Sequence, residues 1–305
     1  MGQMVIRNIC LVLIVQVLYF LPGQAQELYV NTEAASNMPA GSMGLRMNTK
    51  FYQMEYNKMY SYRIDPEIML GISKNLMLHL NAYASDMYQS NLKVEGGSMY
   101  AKWRFYSADE VHRHFRMAGF GKMALIDNPT ALTVNSTYFT PGPNGEQVPH
   151  LSSQTYLSDE IDLDGNNSGI QAGAIATQLL HKLAVSCSAS LLKRWNNLDA
   201  AAQPGQSTVA SNYSISAGWL FLPFDYKNFR QTNINLYCEL LGSSALDKNA
   251  NYLDIAPAIQ FIFNSISRFD FSYRSQIAGN MDRLSRHAFL VRFEYNFLNL
   301  FKPVK

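Results

Sequence analysis

Residues 286–297, close to the C-terminal end of the chain, alternate between apolar and polar side chains. One parity consists of His287, Phe289, Val291, Phe293, Tyr295 and Phe297. The other parity includes Arg286, Arg292, Glu294 and Asn296. Strict alternation with a period of two indicates a β-strand that has one apolar and one polar face. A long, aromatic-rich face on the last strand is typical of a transmembrane β-barrel of the outer-membrane kind, in which one face meets lipid and the other a polar lumen.

The composition agrees with a barrel and excludes other classes. Charged residues make up 16% of the chain, below the roughly 25% that is usual for soluble domains. The mean hydropathy is only −0.12, and after the N-terminus no run of about 18 apolar residues could form a membrane-spanning helix. The net charge is +2 without a basic tract, so the sequence has no electrostatic footprint for nucleic acid.

The N-terminus has the three parts of a secretory signal peptide. Arg7 supplies a positive charge, residues 9–21 form an apolar core, and residues 23–25 form a small-x-small cleavage site. A signal-anchor helix is the alternative, but the short apolar run favours cleavage. We therefore divide the chain into a signal peptide (residues 1–25), an N-terminal segment (residues 26–42) and a barrel (residues 43–305). The N-terminal segment is polar, and it lies either in the periplasm or inside the lumen as a small plug.

Alternation recurs along the chain and predicts an all-β, antiparallel, up-and-down barrel of about twelve strands, an even number as bacterial barrels require. Short connections alternate with long ones, as periplasmic turns alternate with external loops, so both termini are expected in the periplasm. The longest connection, residues 127–167, shows no alternation. Pro66 cannot donate to a strand ladder, so we expect it near a strand start or a bulge. The strands are predicted near residues 43–52, 64–72, 75–84, 97–106, 115–126, 170–180, 183–195, 213–221, 232–240, 253–263, 268–274 and 286–297.

The polar parity of the strands predicts the residues that face the lumen. One interpretation is a pore wall that selects solutes by charge with a slight preference for anions. The other is a network of salt bridges that fills a narrow barrel. Cys187 and Cys238 have the apolar parity, so we expect them to face lipid with one strand between them, unable to form a disulfide. The lumenal candidates are Arg46, Lys50, Glu67, His79, Lys102, Arg104, Arg116, Lys122, Glu239, Asp254, Asp270, Arg274, Arg292 and Glu294.

Residues 160–167 half match a calcium-binding loop. Glu160, Asp162 and Asp164 alternate as oxygen ligands, and Gly165 stands at the sharp turn. The first position is Glu rather than Asp, however, and the twelfth is Gln171 rather than Glu. The loop is therefore either a weak external cation site or a solvated external turn.

Three stretches together resemble a group of outer-membrane barrels from the Bacteroidetes. They are the signal peptide, the segment NTEAASNMPAGSMGLRM and the terminal HAFLVRFEYNF. The chain is also distantly similar to the transporter-like barrels known as phenol-degradation meta-pathway outer-membrane proteins. The resemblance spans the whole mature chain and implies a barrel with a transport role, but it carries no functional residues over.

We expect an outer-membrane barrel that passes small solutes, without enzymatic activity and without a cofactor. One alternative is a closed structural or surface-interaction barrel that acts through its external loops. Another is an outer-membrane hydrolase, for which Ser285, His287 and Asp282 are candidates, although no polar group that would orient the histidine stands beside them. The expected partners are outer-membrane lipid and lipopolysaccharide and, during biogenesis, the barrel-assembly machinery and periplasmic chaperones.

Overall fold

The computed structural model describes residues 29–89, 91–110, 113–141, 143, 146–224 and 230–302, so the predicted signal peptide lies outside the described residues. The regular elements within these ranges are all β-strands, numbered here in chain order. They are β1 (Met43–Met54), β2 (Tyr60–Gly71), β3 (Leu76–Ser85), β4 (Lys93–Asp109), β5 (Arg113–Ile126), β6 (Ala131–Pro141), β7 (Gln147–Leu157), β8 (Gly169–Leu180), β9 (Leu183–Arg194), β10 (Val209–Leu222), β11 (Asn233–Ala245), β12 (Asn251–Phe263), β13 (Ser267–Gly279) and β14 (Ser285–Phe297). The described part of the chain contains no helix that is long and apolar enough to cross a membrane.

Strands β1–β5 and β8–β14 form one closed antiparallel barrel, in which β14 pairs back onto β1. Strand β5 pairs directly with β8. The two strands that lie between them in the sequence, β6 and β7, pair only with each other and form a separate two-stranded sheet. Closure leaves the barrel without a free edge, which removes the unpaired backbone groups that an open sheet would present to lipid. The predicted twelve-stranded, all-β barrel is confirmed.

Burial alternates along the barrel strands as the sequence pattern predicts. In β14, Arg292 and Glu294 are buried, whereas Phe289 and Phe293 are exposed on the outer face. The polar parity therefore lines the lumen and the aromatic parity forms the outer surface. Both described cysteines are free and exposed on the outer face, on β9 and β11, with β10 between them as expected.

The shortest connections gather at one end of the barrel, which we call the short-turn end. His181 in the turn between β8 and β9 has a φ of 53°, and both Asn264 and Ser265 between β12 and β13 have positive φ. Positive φ in turns of two or three residues is typical of tight hairpins between twisted strands. The chain enters β1 and leaves β14 at this end, where the Asn299 N–H donates to Ser42 Oγ at 3.3 Å. The opposite, long-loop end carries the two longest connections, between β5 and β8 and between β9 and β10.

The segment at residues 127–167, expected to be without strands, contains the β6–β7 hairpin. Its two strands pair with each other over their whole length, for example Thr133 with Thr155. Most of their side chains are exposed. Because the hairpin buries only its base around Leu132 and most of both faces are exposed, its sequence needs no alternation, and the periodicity test missed it.

Pro66 lies in the middle of β2 and not near a strand start or a bulge, so that expectation was wrong. It pairs with Met47 of β1, while the pairing with β3 omits Asp65 and Pro66 and then resumes in the same register. The proline therefore interrupts one ladder without displacing the strand, because only its missing N–H is lost.

Candidate functional site

The N-terminal segment lies inside the lumen, and residues 29–42 form what we call the plug. Tyr29 and Val30 are buried among wall residues. The backbone N–H groups of Val30 and Asn31 both donate to Glu239 Oε1, at 3.1 and 2.7 Å. Of the two positions left open by the sequence, the described part of the segment therefore takes the lumenal one.

Other wall strands hold the plug through polar side chains. Thr32 Oγ1 lies 2.8 Å from Ser216 Oγ on β10. The Lys102 ammonium on β4 donates to the carbonyl oxygens of Ala34 and Ser36, at 2.7 and 2.8 Å. These contacts satisfy backbone groups that an irregular segment would otherwise bury without partners.

Arg46 on β1 is the centre of an ion cluster that joins the plug to the wall. It contacts Glu294 at 2.7 Å, Glu67 at 3.0 Å and Glu33 at 3.1 Å. Strand register explains two of these pairs, because Arg46 stands directly opposite Glu294 of β14 and Glu67 of β2. The third comes from the plug and depends on tertiary folding alone.

The predicted lumenal residues fall into three groups by position. Arg104 stands apart, half-buried at the short-turn end, where it donates to the Lys74 carbonyl at 2.8 Å. Half-buried lumenal residues are Lys50, Arg116, Lys122 and Arg274. Buried lumenal residues are Arg46, Glu67, His79, Lys102, Glu239, Asp254, Asp270, Arg292 and Glu294.

The loop at residues 158–168, here named the inner loop, folds back into the barrel instead of lying outside. Its carboxylates meet basic side chains of the wall and of the connection between β13 and β14. Glu160 receives two hydrogen bonds of 2.9 Å from Arg283, and Asp164 is ion-paired with Lys122. Among the described residues no group of His, Cys, Asp and Glu could hold a metal ion. The expectation that this loop lies outside the barrel was therefore wrong, whereas its cation site stays a prediction.

Arg63 fastens the inner loop and is a residue that the sequence analysis missed. It is fully buried, lies 2.8 Å from Glu95, and donates to the Asp164 carbonyl at 2.9 Å and to Asn166 Oδ1 at 2.6 Å. Gly165 makes the approach possible, since a Cβ there would stand 2.6 Å from Arg63 Nε. Arg63 shares the parity of Asp65 and Glu67, so starting β2 at Tyr60 would have revealed it.

The two aspartates of the inner loop differ in acidity. Burial alone would raise the pKa of the Asp164 carboxyl, but the charges of Lys122 and Lys50 outweigh it and hold that pKa well below its ordinary value. The pKa of Asp162 is raised instead, by burial and by the charge of Asp164. Asp164 therefore keeps its negative charge at neutral pH.

A cavity of about 360 Å³ lies between the plug and the inner loop. The plug contributes Glu33, the inner loop contributes Asp164, and the wall contributes Lys50, Tyr252 and Arg274. The volume is at the lower end of the roughly 300–1,000 Å³ that is typical of small-molecule sites. The arrangement can hold a small polar solute, and the plug separates it from the short-turn end.

The residues considered for hydrolysis do not form a relay among themselves. Ser285 Oγ donates to the backbone carbonyl of His287 at 2.8 Å. The ring nitrogen Nδ1 of His287 instead lies 3.0 Å from Ser275 Oγ and 3.2 Å from Tyr273 OH, both on β13. Asp282 contacts the inner loop through its backbone carbonyl, which accepts from the Asp159 N–H at 2.8 Å.

No protein-family model and no curated protein sequence matches the chain. Solved structures of outer-membrane barrels align with the chain. The COG4313 outer-membrane channel from Pseudomonas putida F1 aligns with a TM-score of 0.56 and 11% identity, over 88% of this chain and 100% of that one. The KdgM porin aligns with a TM-score of 0.46 and 9% identity, over 83% of this chain and 99% of that one. At such identities the likeness concerns the fold alone, and that fold is the barrel found in outer-membrane channels.

Proposed function

We propose that the chain is an outer-membrane channel for small polar solutes whose lumen the plug closes reversibly. In this arrangement the aromatic outer face lies in lipid and both termini lie in the periplasm. The long-loop end then faces the outside of the cell. The polar lumen and the cavity support a path for solutes, and the plug supports a gate across it.

The observation that carries this proposal is the chemistry of the plug contacts. Most of them are hydrogen bonds and ion pairs to side chains such as Glu239, Ser216 and Lys102. Such a hydrogen bond contributes about 0.5–1.5 kcal/mol net between neutral groups and about 1.5–3 kcal/mol when one partner is charged, because water replaces the lost partner. The barrel ladders do not depend on the plug, so it can leave the lumen while the wall stays folded.

The ion pairs also favour a gated channel over a barrel that is filled by its own wall. Pairs such as Arg46 with Glu294 and Asp270 with Arg292 join residues that stand opposite each other on adjacent strands. These ion pairs lie along the barrel wall. The middle of the barrel contains the plug, the inner loop and the cavity instead of wall side chains.

A disulfide lock tests the gate directly. Thr32→Cys and Ser216→Cys replace two hydroxyl oxygens that lie 2.8 Å apart, in a background in which Cys187 and Cys238 are changed to Ala. A bridge between these positions ties the plug to β10. We expect conductance in planar bilayers from the reduced protein and little or none from the oxidised protein.

The matched control places the same kind of bridge away from the lumen. Thr133→Cys and Thr155→Cys lie opposite each other in the β6–β7 hairpin, with their hydroxyl oxygens 3.3 Å apart. Conductance of this variant should not respond to oxidation. Equal conductance of the locked and reduced forms of the plug variant would overturn the gate, and silence of every form would overturn the channel.

A second candidate function is surface interaction through the β6–β7 hairpin. Its exposed side chains include Tyr138, Phe139 and Leu151, and Leu151 is 85% exposed. Exposed apolar residues of this size in a polar loop mark interaction surfaces. Deleting residues 131–157 should abolish adherence of expressing cells to protein-coated surfaces if this function holds. A deletion that changes permeability alone would eliminate it.

A further inference from the structure

Two carboxylates that join the plug and the inner loop to the wall, Glu33 and Asp164, are more exposed than the cations that bind them. The Asp164 side chain is 46% exposed, while its partner Lys122 is 11% exposed. Glu33 is 29% exposed, and its partners Arg46 and Lys102 are 8% and 0% exposed. A solute in the cavity therefore contacts the Glu33 carboxylate on the plug side and the Asp164 carboxylate on the inner-loop side. The cations paired with these carboxylates are less exposed.

The Arg63 guanidinium is shared between two carboxylates behind the inner loop. Arg63 lies 3.4 Å from Asp162 but 2.8 Å from Glu95, so one guanidinium serves two carboxylates. Asp65 lines the cavity and is 98% buried; its Oδ2 faces Lys50, and its Oδ1 has no hydrogen-bond partner among the residues that the structure describes.

Among the cations that line the cavity, Lys50 and Arg274 are partly exposed and each is paired with a buried carboxylate, whereas Arg286 at the long-loop end of β14 is exposed. Lys50 lies 2.8 Å from Asp65, and Arg274 lies 2.6 Å from Asp254. Asp65 and Asp254 are almost completely buried, so their charge is directed at these cations and not at the cavity. An incoming anion would have to compete with a carboxylate already in place.

We propose that this channel prefers small solutes with an ammonium or guanidinium group over anions of the same size. The proposal rests on the proposed channel function and names the class of solute that the cavity favours. The positive group would lie between Glu33 of the plug and Asp164 of the inner loop. The anion preference expected from the sequence counted strand residues, whereas the decisive carboxylates come from the two segments that fold into the lumen.

Swelling of liposomes that contain the refolded full-length protein tests the preference. Lysine, glutamine and glutamate are similar in size and carry net charges of about +1, 0 and −1. We expect lysine to enter fastest and glutamate slowest. A single unit charge at a wet protein surface changes partition by about two- to fivefold, which sets the expected step between solutes.

Asp164→Asn keeps the size of the side chain and removes the exposed charge. We expect it to lower the ratio of lysine to glutamate entry by about two- to fivefold. Glu55→Gln is the matched control, since Glu55 is paired with Lys58 in the β1–β2 loop and does not line the cavity. That variant should leave the ratio unchanged.

The possible outcomes separate the two proposals. Entry of glutamate as fast as lysine, or faster, would overturn the cation preference while the channel stands. No entry of any of the three solutes would remove the channel and the preference together. If Asp164→Asn does not fold, the order of the three solutes in the unmodified protein still decides the question.

Discussion

Glu33 and Arg46 form an ion pair of 3.1 Å that joins the plug to the barrel wall. Arg46 also keeps Glu67 and Glu294 at 3.0 and 2.7 Å, so its charge is compensated whether or not the plug is in place. Breaking a buried ion pair is costly mainly when it leaves a buried charge without a partner. The wall therefore tolerates the departure of the plug at this position.

Glu33→Gln should favour the open state. The substitution removes the negative charge that faces Arg46 and Lys102 but keeps the size of the side chain. Hydrogen bonds to charged groups contribute roughly 1.5–3 kcal/mol, so the open fraction should rise about tenfold or more. Single-channel open probability measures this, with Glu55→Gln as a control that has no contact with the plug. An unchanged open probability would show that the ion pair does not stabilise closure.

Closure should weaken only at acidic pH. Burial alone would raise the pKa of Glu33, but Lys102 and Arg46 hold it well below its ordinary value of 4.5, and His79 also faces it. Because the closed form binds the proton less readily, the contribution of Glu33 is complete above pH 4.5 and is lost as the pH falls through the lowered pKa.

Conductance measured across this range should therefore show a Glu33-dependent rise only below pH 4.5. The Glu33→Gln variant should lack that step, since it has no carboxyl to protonate. A step of the same size in the variant would assign the acid response to another group, such as Glu67 or Glu294 in the same ion cluster.

Gly165→Ala should destabilise the barrel more than Gly205→Ala. Both glycines have positive φ, 116° and 87°, and so each substitution carries a backbone cost of about 1–2 kcal/mol. Only at Gly165 would the new Cβ collide, 2.6 Å from Arg63 Nε, whereas nothing lies within 4 Å at Gly205. The collision should add roughly 1–3 kcal/mol to the loss in unfolding free energy, measured by urea denaturation. Equal losses would mean that Arg63 moves aside freely.

Removal of divalent cations should leave stability unchanged. Glu160, Asp162 and Asp164 are each paired with a basic side chain. The three carboxylates are therefore not available together as metal ligands. Thermal unfolding in EDTA and in millimolar calcium should give the same midpoint. A higher midpoint in calcium, lost in the Asp164→Asn variant, would restore the cation site that the sequence pattern suggested.

The barrel was predictable because each of its strands separates two environments. Lipid on one side and ion pairs on the other force a period of two, and this parity correctly placed Glu294 inside and Phe293 outside. The parity fails where the register shifts. One such shift lies between Arg104 and Tyr106 of β4, at the short-turn end.

The contents of the lumen could not be predicted in the same way. Glu160 and Arg283 are 123 residues apart in the chain, and neither belongs to an alternating strand. Glu33 likewise lies in an irregular segment. Their pairing depends on the positions that the two loops take up after the barrel has closed. A local sequence pattern contains no information about the distance between these positions.

The plug also determines an order of assembly. It binds Arg46 on β1, Lys102 on β4 and Glu239 on β11, so its complete docking site exists only after β1 has paired with β14. The segment synthesised before all the strands is therefore the last to reach its native position. We therefore expect a newly closed barrel to pass through a stage in which its lumen does not yet hold the plug.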